Sequence, residues 1–140
     1  MPESRAESQP GDNVDLWPEE IVATDITPPA AIMQMQASLL SKRTNYKLRG
    51  AVETTNTGRK LVHTFCIVAP SLEDYRYELF TVSHGVMPYP VEVTIAPNDV
   101  KIPPSKELKD EQGFLDWLRA VLSSGETKRV VGALLAQVKG

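Results

Sequence analysis

The spacing of apolar residues changes period twice along this chain. Before Tyr46 it is helical: Ala31, Ile32, Met35, Leu39 and Leu40 share one side, while Gln34, Ser38 and Lys42 lie largely opposite. Thr27-Pro28-Pro29 supplies a capping hydroxyl and prolines in the first turn, where no backbone donor is missed, so the pattern predicts a helix over 28–43. From Tyr46 onward apolar and polar residues alternate and β-branched side chains become common, which predicts strands over 46–56, 60–69, 75–83 and 91–96. Asn56-Thr57-Gly58-Arg59 holds the glycine a tight hairpin wants, and 70–74 is a short second link, so neighbouring strands should run antiparallel. A proline-rich connection over 97–105 returns the chain to helical spacing. Asp110 or Glu111 opens a helix carrying Phe114, Leu115, Trp117, Leu118, Val121 and Leu122. Ser124 then caps a last helix whose Val130, Val131, Leu134, Leu135 and Val138 form one stripe.

The alternation also predicts which side chains face which way. A two-residue turn at Thr57-Gly58 sets Thr54 opposite Leu61, Val52 opposite His63 and Gly50 opposite Phe65, the glycine making room for the ring. Pairing Ala69 with Tyr75 sets Ile67 opposite Tyr77, Phe65 opposite Leu79 and His63 opposite Thr81. One sheet face then collects Tyr46, Leu48, Val52, Leu61, Phe65, Ile67, Tyr75, Tyr77, Leu79, Val91, Val93 and Ile95, and the first helix should pack there. The other face reads Lys47, Arg49, Ala51, Glu53, Val62, Thr64, Cys66, Val68, Arg76, Glu78, Phe80, Val82, Glu92 and Thr94. Its middle is too apolar for open water, and the helical hairpin at the end of the chain is the candidate cover, on its own sheet or on a partner's.

The expected fold class is therefore α+β: an N-terminal helix packed on a four-stranded antiparallel meander, followed by a C-terminal helical hairpin. At 140 residues the chain is long enough for one ordinary domain and too short for two. The organisation expected is an acidic disordered tail over 1–15, where Pro, Glu, Ser, Gln and Asn leave little to bury, and a single domain over 16–140. Within it, 16–26 with Leu16, Trp17, Ile21 and Val22 reads as a strap that closes the core or, alternatively, a linear motif offered to a partner, 27–97 as helix and sheet, and 105–140 as the closing helices. In the order of its elements the chain resembles the cystatin and nuclear-transport-factor type of fold, in which a curved sheet wraps a helix. That likeness is one of layout and carries no function with it.

Composition narrows the function classes. A net charge of −3 argues against a globally basic nucleic-acid binder. No apolar stretch approaches the roughly 18 residues of a spanning helix, and 1–13 lacks the apolar run of a secretory signal, so a cytoplasmic location is expected and no membrane. The single cysteine forbids an internal disulfide. No phosphate loop, nucleophile elbow or zinc-protease motif appears, and no cofactor, metal or catalytic residue is assigned.

Three surfaces remain as candidates. The first is a contact surface of a non-enzymatic intracellular interaction module, its partner another protein or a second copy of itself. Phe80, Val82, Trp117 and Leu118 would be its anchors and Arg76 and Arg49 its rim. The second is a small-ligand pocket or active site between the first helix and the sheet, lined by Tyr46, His63, Tyr75, Tyr77 and His84, with 83–90 as its rim. The third is a basic hairpin. Lys42, Arg43, Lys47, Arg49, Arg59 and Lys60 stand against Glu53 alone, and would meet an acidic partner or single-stranded nucleic acid. The first 27 residues oppose it in sign, with Glu3, Glu7, Asp12, Asp15, Glu19, Glu20 and Asp25 against Arg5. Cys66, on a central strand, reads as a buried structural thiol.

Overall fold

A computed structural model describes residues 14–95 and 105–138. In chain order they form α1 (Pro29–Arg43), β1 (Arg49–Asn56), β2 (Leu61–Ala69), a 3-10 turn (Pro70–Leu72), β3 (Tyr75–His84), β4 (Val91–Ile95), β5 (Lys106–Leu108), α2 (Glu111–Leu122) and α3 (Gly125–Gln137). The strands lie in the order β1-β2-β3-β4-β5, each antiparallel to the next. The class, the leading helix, the meander and the closing helices match the periodicity. The sheet has five strands and not four. Three residues, Lys106–Leu108, are too few to show an alternation, yet Val91 pairs with Leu108 and Val93 with Lys106. Residues 1–13 of the expected tail and 96–104 of the proline-rich connection lie outside the described residues.

Two of the three helix caps follow the sequence. Asp110 Oδ1 accepts from Gly113 N at 2.9 Å, and Ser124 Oγ accepts from Thr127 N at 3.2 Å. Thr27 does not cap α1; Pro28 holds that position with no side-chain bond, and Thr27 is tied elsewhere. Its N–H donates to Glu111 Oε1 at 3.3 Å and its carbonyl accepts from the Tyr89 hydroxyl at 2.9 Å. The start of α1 is thereby fixed to the start of α2.

Both hairpin registers differ from expectation. The first turn is centred one residue later, with Thr57 N donating to Lys60 O at 2.9 Å around Gly58-Arg59. Gly58, at φ +97, holds the first central position, which in a two-residue hairpin turn of this kind demands glycine. Moving the centre by one residue shifts every pair by two and preserves the faces: Val52 meets Phe65 and Gly50 meets Ile67. Gly50 makes room for α1, not for Phe65. A Cβ there would lie 2.5 Å from Ala37 Cα and 2.6 Å from its carbonyl oxygen. Ser41 Oγ locks the approach, accepting from Gly50 N and donating to Ala37 O, each at 3.2 Å.

The second hairpin changes the architecture. Ala69–Tyr75 and Ile67–Tyr77 pair as expected, but Cys66 meets Glu78 while Phe65 meets Phe80, leaving Leu79 as the extra residue of a β-bulge. From Phe80 onward the strand presents the opposite parity. Phe80 and Val82 therefore join Phe65, His63 and the β4 residues Val93 and Ile95 on the face that α1 covers. Phe80 stacks on Phe65 with centroids 5.3 Å apart and meets Trp117 of α2 edge-on at 5.2 Å. A single core results, joining Met33 and Ala37 of α1, the inner sheet face, Phe114 and Leu118 of α2, and Leu134 and Val138 of α3.

All three helices thus share one side of the sheet, and the helical hairpin does not cover the second face. That face is now a polar surface: Glu53, Thr64, Thr81 and Thr94 form one row across four strands, and Arg76 pairs with Glu53 over the buried Cys66. Burial pushes the Cys66 thiol up, in keeping with a structural role. Among the described residues no helix is long and apolar enough to cross a membrane.

The strap does not close the core. Leu16, Trp17, Ile21 and Val22 are 83, 75, 69 and 77% exposed, and the segment over 14–27 leaves the domain at Thr27.

Candidate binding cleft

Between α1 and α3, above the inner sheet face, lies a cleft of about 460 Å³. Phe65, Ile67 and Leu79 form its floor. Leu39 and Leu40 of α1 make one wall, with Leu122 and the α3 residues Val131 and Leu135 making the other. Leu79 reaches the floor on the same alternation as Tyr75 and Tyr77, and the bulge lets Phe80 follow it inward. Gly132, with nothing within 4 Å of where a Cβ would stand, leaves the α3 wall low.

The cleft is apolar below and cationic above. Arg43, in the last turn of α1, and Lys128, in the first turns of α3, both line it and both are exposed. No Asp or Glu lines it, and among the described residues neither cation has an ion-pair partner. The two hydroxyls in the lining are already committed. Thr127 Oγ1 donates to Val121 O at 2.7 Å, and Thr44 Oγ1 donates to Leu40 O at 3.0 Å while accepting from Leu48 N. The cleft therefore offers apolar area and positive charge, and no nucleophile or general base.

The expected contact surface does not exist as a surface. Phe80 and Val82 have no exposed area, Leu118 almost none, and Trp117 packs in the same aromatic group, so the anchors are core. Arg49 and Arg76 are exposed on the second face.

The expected pocket residues are dispersed. Tyr46 is exposed, in the left-handed region at φ 63 after α1. Tyr75 and Tyr77 line a separate hollow of about 430 Å³ against Arg129, Val130 and Ala133 of α3. His63 and His84 lie toward the other end of the strands, about 20 Å away where Leu61 meets His84, at six residues' rise along β2.

The two histidines do come together. Their Nε2 atoms are 2.9 Å apart, with His63 only 4% and His84 8% exposed. His84 Nδ1 lies 2.7 Å from the Gly85 carbonyl, which can only accept, so that nitrogen carries a proton. His84 Nε2 then accepts from His63 Nε2–H, and His63 Nδ1 accepts from the Thr54 hydroxyl at 2.8 Å. Every ring nitrogen is satisfied with both rings neutral. Burial, and next the neighbouring His84, hold the His63 pKa below its ordinary value. His84 borders a hollow of about 340 Å³ with Tyr89, Glu92 and Glu107, but both its nitrogens are occupied by protein partners. Tyr89, whose hydroxyl is bound to Thr27, is pushed up to about 12 by burial and then by Glu111 and Asp110.

The basic hairpin divides as well. Lys42, Arg43, Lys47 and Arg49 gather where α1 ends and β1 begins. Arg59 and Lys60 are at the opposite end of β1, about 23 Å away over its length, and Lys60 pairs with Glu92 at 3.5 Å. Of the six, only Arg43 reaches the cleft.

Sequence reasoning missed Lys128 and the α3 wall, although one sign of them was present. A stripe holding both Val130 with Leu134 and Val131 with Leu135 is wider than one packing contact needs, so part of it must face something other than the core. Compared with models of protein families, with curated proteins and with solved structures, the chain matches none.

Proposed function

We propose that this protein is a non-enzymatic binding module whose working surface is the cleft between α1 and α3, and that it takes an apolar group bearing negative charge. The observation that carries this reading is the pairing of an apolar floor, Phe65, Ile67 and Leu79, with two cations and no carboxylate at the rim. An apolar body would displace water from the floor, worth about 25 cal/mol per Å² of apolar surface removed from water. Arg43 and Lys128, which among the described residues have no acidic partner, would select the sign of the charge. The volume lies within the roughly 300–1,000 Å³ of ordinary ligand sites.

A simple probe of the right chemistry is 8-anilinonaphthalene-1-sulfonate, an apolar anion, titrated into the folded protein and followed by fluorescence. Saturable binding at one site is expected. Arg43→Glu combined with Lys128→Glu should weaken it at least about ten-fold, a loss of ~1.4 kcal/mol, with the far-ultraviolet circular dichroism unchanged. Equal affinity in the charge-reversed protein would overturn the reading.

A further inference from the structure

The chain carries an apolar, negatively charged group of its own. Asp15-Leu16-Trp17-Pro18-Glu19-Glu20-Ile21-Val22 places an indole and three aliphatic side chains among carboxylates, and the fold buries none of the apolar four. The segment is not shapeless: Trp17 N–H donates to Asp15 Oδ1 at 3.1 Å, and Pro18 fixes the next φ, so the indole is presented on a preformed bend. A cluster of exposed apolar residues of this size is a contact surface or a liability. We infer that the cleft between α1 and α3 receives Trp17 and Leu16 of a second copy of this chain, with Glu19 and Glu20 meeting Arg43 and Lys128. This rests on the cleft being a binding site, as proposed above.

Two observations favour a second copy over the segment's own cleft. Thr27 is pinned beside the first residue of α2, Glu111, whereas the cleft lies beside the last, Leu122. The single chain leaves the segment in solvent. A two-fold exchange meets both needs at once, because each copy offers one segment and one cleft. A tryptophan alone buries roughly 150–250 Å². Counted twice with its aliphatic neighbours, that approaches the roughly 1,200–2,000 Å² of a stable interface.

The test uses full-length chains. One carries Val14→Cys, exposed beside the Leu16-Trp17 anchor, a second Gly132→Cys, at a position with free space on the cleft wall, and a third carries both; the native Cys66 is buried. Mixing the first two under mild oxidation should give a covalent dimer, which neither gives alone. Sedimentation of the unmodified protein should show a dimer that Trp17→Ser dissociates, and Lys128→Glu should weaken it about ten-fold, with partial rescue by Glu20→Lys. A linked monomer from the double variant, or a monomeric wild type at high concentration, would overturn the inference. Probe binding by Trp17→Ser separates the two readings. If the wild type is monomeric and this variant still binds the apolar anion, the cleft stands and self-recognition falls; if it binds nothing, the cleft reading falls too.

Discussion

Two imidazoles facing each other across 2.9 Å can take up one further proton between them. A proton added at His63 Nδ1 leaves its Nε2–H donating to His84 Nε2 and turns Thr54 Oγ1 from donor to acceptor. A second proton would set two N–H groups against each other. The charged side chains that line the hollow with His84 are Lys60, Glu92 and Glu107. Since the folded state holds His63 below its ordinary 6.5, the unfolded chain binds more protons in the window under that value. Stability is thus fully present above about pH 6.5 and is lost as pH falls from there toward the folded pKa, by at most ~1.4 kcal/mol per unit of depression. The urea midpoint measured from pH 8 to 5 should drop across this window, and His63→Gln should flatten the drop. A midpoint in the variant that follows the wild-type curve would assign the pH response to other groups.

At the scale of elements, the closest approach in the fold is that of α1 to β1 at Gly50. A Cβ there meets the Ala37 backbone, which has no rotamer to change, so α1 must lift. Gly50→Ala should cost about 1–3 kcal/mol, read as a lower denaturation midpoint, with the Ser41 bonds to Gly50 and Ala37 lost together. A fully stable variant would mean that the helix is not held where Ser41 and Ala37 place it. The elements other than β5 were legible because they were announced locally: Asp110 and Ser124 as caps, Gly58 as a turn, the prolines at the start of α1. Their facing was not. Tyr75, Tyr77 and Leu79 satisfy one alternation and Phe80, Val82 and His84 satisfy the other, and nothing within the strand says that both are used in turn. Thr27 misled for a similar reason, since its backbone is claimed by Glu111 and Tyr89, residues remote in sequence.

For the whole molecule, the bulge decides that the three helices share one side, and hence that a cleft exists between two of them. The candidate site was therefore the part least visible beforehand: Arg43 was in view, but its meeting with Lys128 and Val131 depends on long-range packing. The same arrangement separates two substitutions that a contact-surface reading would treat alike. Phe80→Asp puts an unpaired carboxylate between Phe65 and Trp117 and should unfold the domain, a cost of about 4–5 kcal/mol or more against a typical stability of roughly 5–15. Trp17→Ser, at a 75% exposed position, should leave the thermal midpoint of the isolated chain within a degree or two. Comparable losses from both would place Trp17 in the core. The bulge has one more consequence, for comparison between chains. A domain of this kind carries a phase change in its third strand: inward positions at odd numbers through Leu79, then at even numbers from Phe80. Two chains differing at nearly every residue would still share that skipped beat, and an alignment that scored the phase of alternation, and not the identity of side chains, would find it.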